Sequence, residues 1–286
     1  MGVPEFMIEW LAVDGSVTQL DDEVNYFVTR GRRGQWMPPF GLVESSVPDE
    51  AGSRLDNVLM KPRDIDMPFA IIDVNYEAVI SRVRTLSKKF MPTGGQGKLR
   101  VTRADLTKRE IVAVYVGGLD MAQITTNLLK TVLTFHAADP FWMATSPVVD
   151  TYVSGTPATF FPFFPLILSS GDVFTDITVN NAGDVEAWPM WTVNGPGVNP
   201  SFENKTTGKK LELNITLVAG DYVVFDTRPG YKTVTRKDGS NLFGSLSSTS
   251  SLWPLAVGNN SIRIEFSSVT GASSVVLSYY PRYLSE

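Results

Sequence analysis

The punctuation of its second half constrains this chain most. Ile177–Val179, Pro189–Val193, Lys210–Leu217, Tyr222–Asp226, Lys232–Thr235, Ser261–Phe266 and Val275–Tyr280 are short β-branched or aromatic runs. Nearly every gap between them holds Gly, Asn, Asp or Pro. Runs this short cannot repay helix nucleation, whereas turn residues at regular intervals return a chain on itself strand by strand. The spacing predicts an antiparallel β-sandwich over residues 171–286.

The first half reads differently. Charged side chains number 34 in residues 1–145 and 21 in the rest, while aromatics run 13 and then 18, so the chain divides in two. Between the halves lie Pro147, Pro157, Pro162 and Pro165 with hardly any charge. Prolines fix φ and remove ladder donors, so residues 146–170 are expected to form an extended connector. Within 1–145, Met7–Val13 and Val24–Thr29 read as strands closing around Asp14-Gly15. One helix is expected from about Asp73, because Tyr76, Val79, Ile80, Val83, Leu86 and Phe90 keep a 3–4 spacing. Asp73 is its expected cap, Lys88 and Lys89 suit its C-terminal dipole, and Pro92 with Gly94-Gly95 ends it. Lys98–Arg103, Glu110–Val116 and Ile124–Phe135 return to strand. The expected fold class is therefore mainly β, with one helix in the first domain.

Composition removes much chemistry. There is no cysteine and one histidine, so thiolate catalysis, disulfides and multi-His or Cys metal centres fall away. A net charge of −5 opposes general nucleic-acid binding, which needs a basic face. Glu5 and Glu9 stand near the start and the first Lys or Arg is Arg30, unlike a secretory signal. Residues 1–6 are expected to be a cloning remnant, since Met7 opens the first strand. Phe160–Leu168, the longest apolar stretch, is interrupted by Pro162 and Pro165, so no membrane span is expected. A protein made and assembled in a cytoplasm fits these features.

Gly94-Gly95-Gln96-Gly97-Lys98 glances at a phosphate loop, but Pro92 replaces its first Gly, Leu99 follows the Lys, and the segment leaves a helix. A loop is expected, with no cofactor. His136 beside Asp139 is either a general base oriented by that carboxylate or a strand-end histidine; no Gly-x-Ser-x-Gly elbow accompanies it. Asp172, Asp176 and Asp184 fit no calcium-loop spacing and read as turn residues. The chain is thus not expected to be an enzyme. Asp21, Asp22 and Glu23 precede a basic cluster of Arg30, Arg32 and Arg33. Strips of opposite sign on one subunit suit a head-to-tail subunit contact. Tyr222, Tyr231 and Trp253 are candidates for stacking on a sugar, against the alternative that they belong to the core.

Four motifs then carry a resemblance. They are Phe135-His136-Ala137-Ala138-Asp139-Pro140-Phe141-Trp142, Asn181-Ala182-Gly183 running on to Trp188-Pro189, Gly220-Asp221 through Asp226-Thr227 with the hairpin after it, and Val257-Gly258-Asn259-Asn260-Ser261-Ile262. In this order the chain resembles the distal tail proteins (Dit) of siphophages, the siphovirus tail-component family, with Val257 where the family usually has Pro. The resemblance implies an N-terminal β-sandwich or split barrel that closes into a homo-hexameric ring, and a galectin-like C-terminal sandwich outside it. It implies a structural virion protein of the distal tail. Such a ring adaptor (a baseplate component) joins the tail tube to the tail-tip hub and tape-measure-associated proteins, and DNA passes through its lumen without specific binding. The alternative is a host-adhesion protein that binds a host glycan through the C-terminal sandwich.

Overall fold

The computed structural model describes residues 6–46, 48–49, 51–120, 125–153, 172–269 and 272–286. The chain forms two units, residues 1–145 with 283–286, and residues 146–282.

Unit 1 contains β1 (Phe6–Leu11), β2 (Val17–Gln19), β3 (Tyr26–Val28), β4 (Phe40–Ser45), β5 (Arg54–Met60), β6 (Arg63–Ile72), α1 (Tyr76–Phe90), β7 (Gly97–Arg103), β8 (Lys108–Gly117), β9 (Leu128–Ala137) and β10 (Trp142–Ala144). Its main sheet runs β2-β1-β7-β8-β9-β6-β3, all antiparallel. The longest ladder joins β6 to β9, from Arg63 opposite Ala137 to Ile72 opposite Leu128. Ile65, Met67, Phe69 and Ile71 point inward from β6, and Asp64 and Asp66 outward. Asp14-Gly15 does make a turn, but it closes β1 on β2; Val24–Thr29 contributes β3, which pairs with β6 instead.

Helix α1 starts at Tyr76, and its cap is Asn75, whose side chain accepts from the Ala78 N–H at 2.9 Å. Asp73 instead pairs with Arg82. Val79, Ile80, Val83, Leu86 and Phe90 form the buried face, at about 2 kcal/mol of burial per large side chain. The Trp10 indole N–H donates to the Lys89 carbonyl at 2.9 Å, satisfying a carbonyl near the helix end. Trp10, Phe90, Tyr115 and Phe135 then stack edge and face around one another in the core. Gly94–Gln96 form the loop from α1 into β7.

Unit 2 contains β11 (Val148–Val153), β12 (Asp172–Asn181), β13 (Met190–Asn194), β14 (Gly197–Val198), β15 (Ser201–Asn204), β16 (Lys209–Glu212), β17 (Thr216–Leu217), β18 (Tyr222–Asp226), β19 (Thr233–Arg236), β20 (Gly258–Phe266), β21 (Ser268–Val269) and β22 (Ser274–Tyr279). One sheet runs β11-β22-β13-β18-β19, a second β12-β20-β15-β16, and a small third β17-β14-β21. Part of the expected connector is therefore strand: residues 148–153 pair along β22, because Val148, Val149, Thr151 and Val153 are β-branched and Tyr152 packs against the core of unit 2. Residues 154–170 lie outside the described residues. The core joins Trp191, Phe202, Phe225 and Trp253, with Trp191 stacked on Phe202 at 4.6 Å.

The family-like motifs prove to be turn locks. The Asn181 side chain donates to the Val185 carbonyl at 2.9 Å and accepts from the Gly183 N–H at 3.1 Å. The Thr227 hydroxyl donates to the Pro189 carbonyl at 2.6 Å. Fully buried Asn260 accepts from the Ala256 N–H and the Asn204 amide, and donates to the Ala256 and Gly258 carbonyls. Gly220 and Gly258 have φ near +80°, as a turn demands. Gly183 serves otherwise: it lacks a positive φ, but a Cβ there would lie 2.5 Å from the Arg282 carbonyl oxygen.

Candidate assembly interface

Between β3 and β6 unit 1 carries a two-stranded arm, β4 and β5, which pairs with no other described strand. Its root is closed by the Lys61 N–H donating to the Pro39 carbonyl at 2.8 Å. Buried Arg63 anchors that root, donating to the Gly34, Trp36 and Leu284 carbonyls at 3.1, 2.9 and 2.9 Å. Burial lowers its guanidinium to about 10, still charged at neutral pH. Gly34 approaches the base of β6 so closely that a Cβ would sit 1.9 Å from the Asp64 carbonyl oxygen, at a φ of +76°.

Register sets the chemistry of the arm. Phe40 faces Met60 and Leu42 faces Val58, so alternation puts all four on one face. Beyond a bulge, Leu55 lies opposite Glu44. Phe40, Leu42, Leu55, Val58 and Met60 are 41–61% exposed, and Trp36 and Met37 before the root are more than half exposed. Nearly every residue of both strands faces solvent. A thin ribbon with two free edges and an apolar face stands poorly alone, and an exposed apolar patch of this kind marks an interaction surface.

The acidic and basic strips are partly consumed inside unit 1. The Asp22 carboxylate accepts from the Val24, Asn25 and Tyr26 N–H groups, which hold its pKa below the ordinary value against burial. Burial raises that of Asp21. Arg32 lies 4.7 Å from the Phe6 ring and 3.9 Å from the Glu286 carboxylate, whose own pKa is raised by burial. Glu23, Arg30 and Arg33 remain exposed. The Arg33 backbone bridges to Asp66, which fixes the cluster beside β6.

Of the three aromatics expected as sugar-stacking candidates, Trp253 is not available to a ligand. Trp253 is 1% exposed and packs edge-on against Trp191 at 6.0 Å, a core role that an indole fills through its area. Tyr222 begins β18, whereas Tyr231 lies past its far end, with Arg228 over its ring at 5.1 Å. His136 bonds Asp64 at 2.7 Å, its cross-strand neighbour, rather than being oriented by Asp139; both side chains are largely solvated. Asp176 is paired by Arg263 and Lys205, which hold its carboxyl at about 2. No group of three or more metal-ligating side chains occurs among the described residues.

Residues 182–283 match the model of the siphovirus-type tail component, C-terminal domain. The chain is similar in fold to the SPP1 Dit protein, described as a paradigm of the hub adsorption apparatus in phages infecting Gram-positive bacteria. That likeness has a TM-score of 0.68 at 13% identity and covers 96% of this chain and 98% of that one. It is also similar to a chain of the phage P2 baseplate in its activated conformation, with a TM-score of 0.53 at 9% identity, covering 96% and 97%. Residues 182–283 thus carry the family match, and the likeness over the rest of the chain is one of fold. No curated protein matches the sequence.

The arm was not legible as an interface beforehand, and neither of its strands was expected.

Proposed function

We propose that this chain is a ring adaptor of the distal tail. Six copies close into a homo-hexameric ring between the tail tube and the tail-tip hub, and DNA passes through its lumen. The role is structural and non-enzymatic. The observation that carries this reading is the arm: a solvent-surrounded hairpin with five apolar side chains on or beside one face, which a monomer has no reason to keep. The net charge of −5 supports a lumen that does not hold phosphates. Host glycan binding loses one of its three candidate aromatics, because Trp253 is buried.

Light scattering over a concentration series, with negative-stain images of the same fractions, tests the proposal. A closed ring of six with a central hole is expected. Leu42→Asp with Val58→Asp should leave the fold intact and abolish the ring, because each places a charge on the apolar face. A wild-type monomer throughout the series, or rings unaffected by both substitutions, refutes the reading.

A further inference from the structure

The arm needs a receiving surface, and unit 1 offers one at the other end of β6. The arm joins β6 at Arg63, whereas α1 follows its Ile72 end, about 30 Å away for ten extended residues. Around that end lie exposed Val24, Ile72, Val74 and Tyr76, with the Asn25 amide donating to the Ile72 carbonyl at 3.0 Å. Along the outward face of α1, Ser81, Arg84, Thr85 and Lys88 are all exposed. Arg84 and Lys88 stand four residues apart, and neither forms an ion pair among the described residues. By contrast, Arg82 is paired with Asp73 and Lys89 with Asp14. The arm has the opposite sign: Glu44, Asp49 and Asp56 against Arg54.

We propose that the arm of one copy seats on helix α1 of the next, its apolar face against Val24, Ile72, Val74 and Tyr76 and its carboxylates toward Arg84 and Lys88. The occupant is a second copy of this chain, because the arm carries both halves of the complement: an apolar ladder and an excess of acid. Donor and receptor lie at opposite ends of one strand, so the contact is head-to-tail and repeats from copy to copy until a ring closes. This inference rests on the ring reading and specifies which surfaces make it. Like-charge contacts at an interface oppose association, so reversing one side should weaken it and reversing both should restore it.

The experiment compares four full-length chains by the concentration at which rings half-assemble: wild type, Glu44→Lys with Asp56→Lys, Arg84→Glu with Lys88→Glu, and all four changes together. Each pair alone should raise the midpoint about tenfold or more, and the combination should return it to within about threefold of wild type. The absence of native cysteine allows a second measurement. Ser45→Cys chains mixed with Thr85→Cys chains should give a crosslinked dimer with a short bismaleimide, and neither alone should give one through that pair. Rings that form normally in wild type but ignore both charge reversals, or that yield no arm-to-helix crosslink, overturn the seating and leave the ring reading intact. A wild type that never assembles overturns the ring reading itself.

Discussion

Replacing Asn260 by Ala tests whether the motif around it acts as a lock on the fold. The side chain is fully buried and accepts from the Ala256 N–H at 2.9 Å and the Asn204 amide at 3.1 Å. It donates to the Ala256 carbonyl at 2.8 Å and the Gly258 carbonyl at 3.0 Å. Each such bond contributes about 1 kcal/mol net, and a buried group left without its partner costs about 1–3 kcal/mol. The Ala256 N–H and the Asn204 amide lose an acceptor, while the Gly258 and Ala256 carbonyls sit nearer the turn surface and are partly rehydrated. The expected loss is therefore about 3–5 kcal/mol for unit 2. At roughly 4 °C per kcal/mol for a unit of this size, its melting transition should fall by about 12–20 °C. Calorimetry with near-ultraviolet circular dichroism reads this, since Trp191 and Trp253 lie in the same core. Asn259, the exposed neighbour, is the internal control, and Asn259→Ala should cost less than about 0.5 kcal/mol. Equal effects at the two positions, or a loss under 1 kcal/mol at Asn260, would refute the lock.

Three further outcomes are expected. Gly34→Ala should destabilise unit 1 by at least about 2 kcal/mol in chemical denaturation, because its Cβ meets the Asp64 carbonyl and its φ is positive. The Asp176 carboxyl, held at about 2 by hydrogen bonds from Arg263 and Lys205, contributes stability that is present above pH 4 and lost as pH falls towards 2. Asp176→Asn should flatten the stability profile in that acid window only, and carboxyl-carbon NMR should place its midpoint near 2. The Tyr152 phenol, pushed up to about 12 by burial and then by Asp150, should be among the last tyrosines to ionise in an ultraviolet titration, and Tyr152→Phe should remove that late step.

Helix α1 was legible because apolar positions repeat at the spacing of one helical face; five of the six are buried, and Tyr76, at the first helical residue, is exposed instead. Only its first residues were misplaced: Asp73 and Asn75 both suit a cap, and the ion pair with Arg82 takes Asp73 away. The strands of unit 2 were legible because turns must be built from a few residue types. Central β6 was not legible although Ile65, Met67, Phe69 and Ile71 alternate, because Pro68 in the middle of the run argues against a central strand. Pro68 is tolerated there while its carbonyl still accepts from the Thr29 N–H. The arm left little trace, since a hairpin with solvent on both sides has no buried face to impose a pattern. Trp253 shows a different limit: indole identity cannot tell a core wall from a sugar platform, and only the packing against Trp191 decides.

The tail segment Tyr283–Glu286 belongs to unit 1 although unit 2 lies between it and the rest of that unit. Arg109 lies 3.7 Å above the Tyr283 ring and donates to the Ser285 carbonyl at 2.7 Å, while Arg63 reaches Leu284. On the ribosome, the first unit to be translated is thus the last to be completed. Its arm is rooted beside a guanidinium that lacks one of its three carbonyls until residue 284 emerges. A fragment cut at residue 145 is accordingly not unit 1 with unit 2 removed, but unit 1 without Tyr283–Glu286.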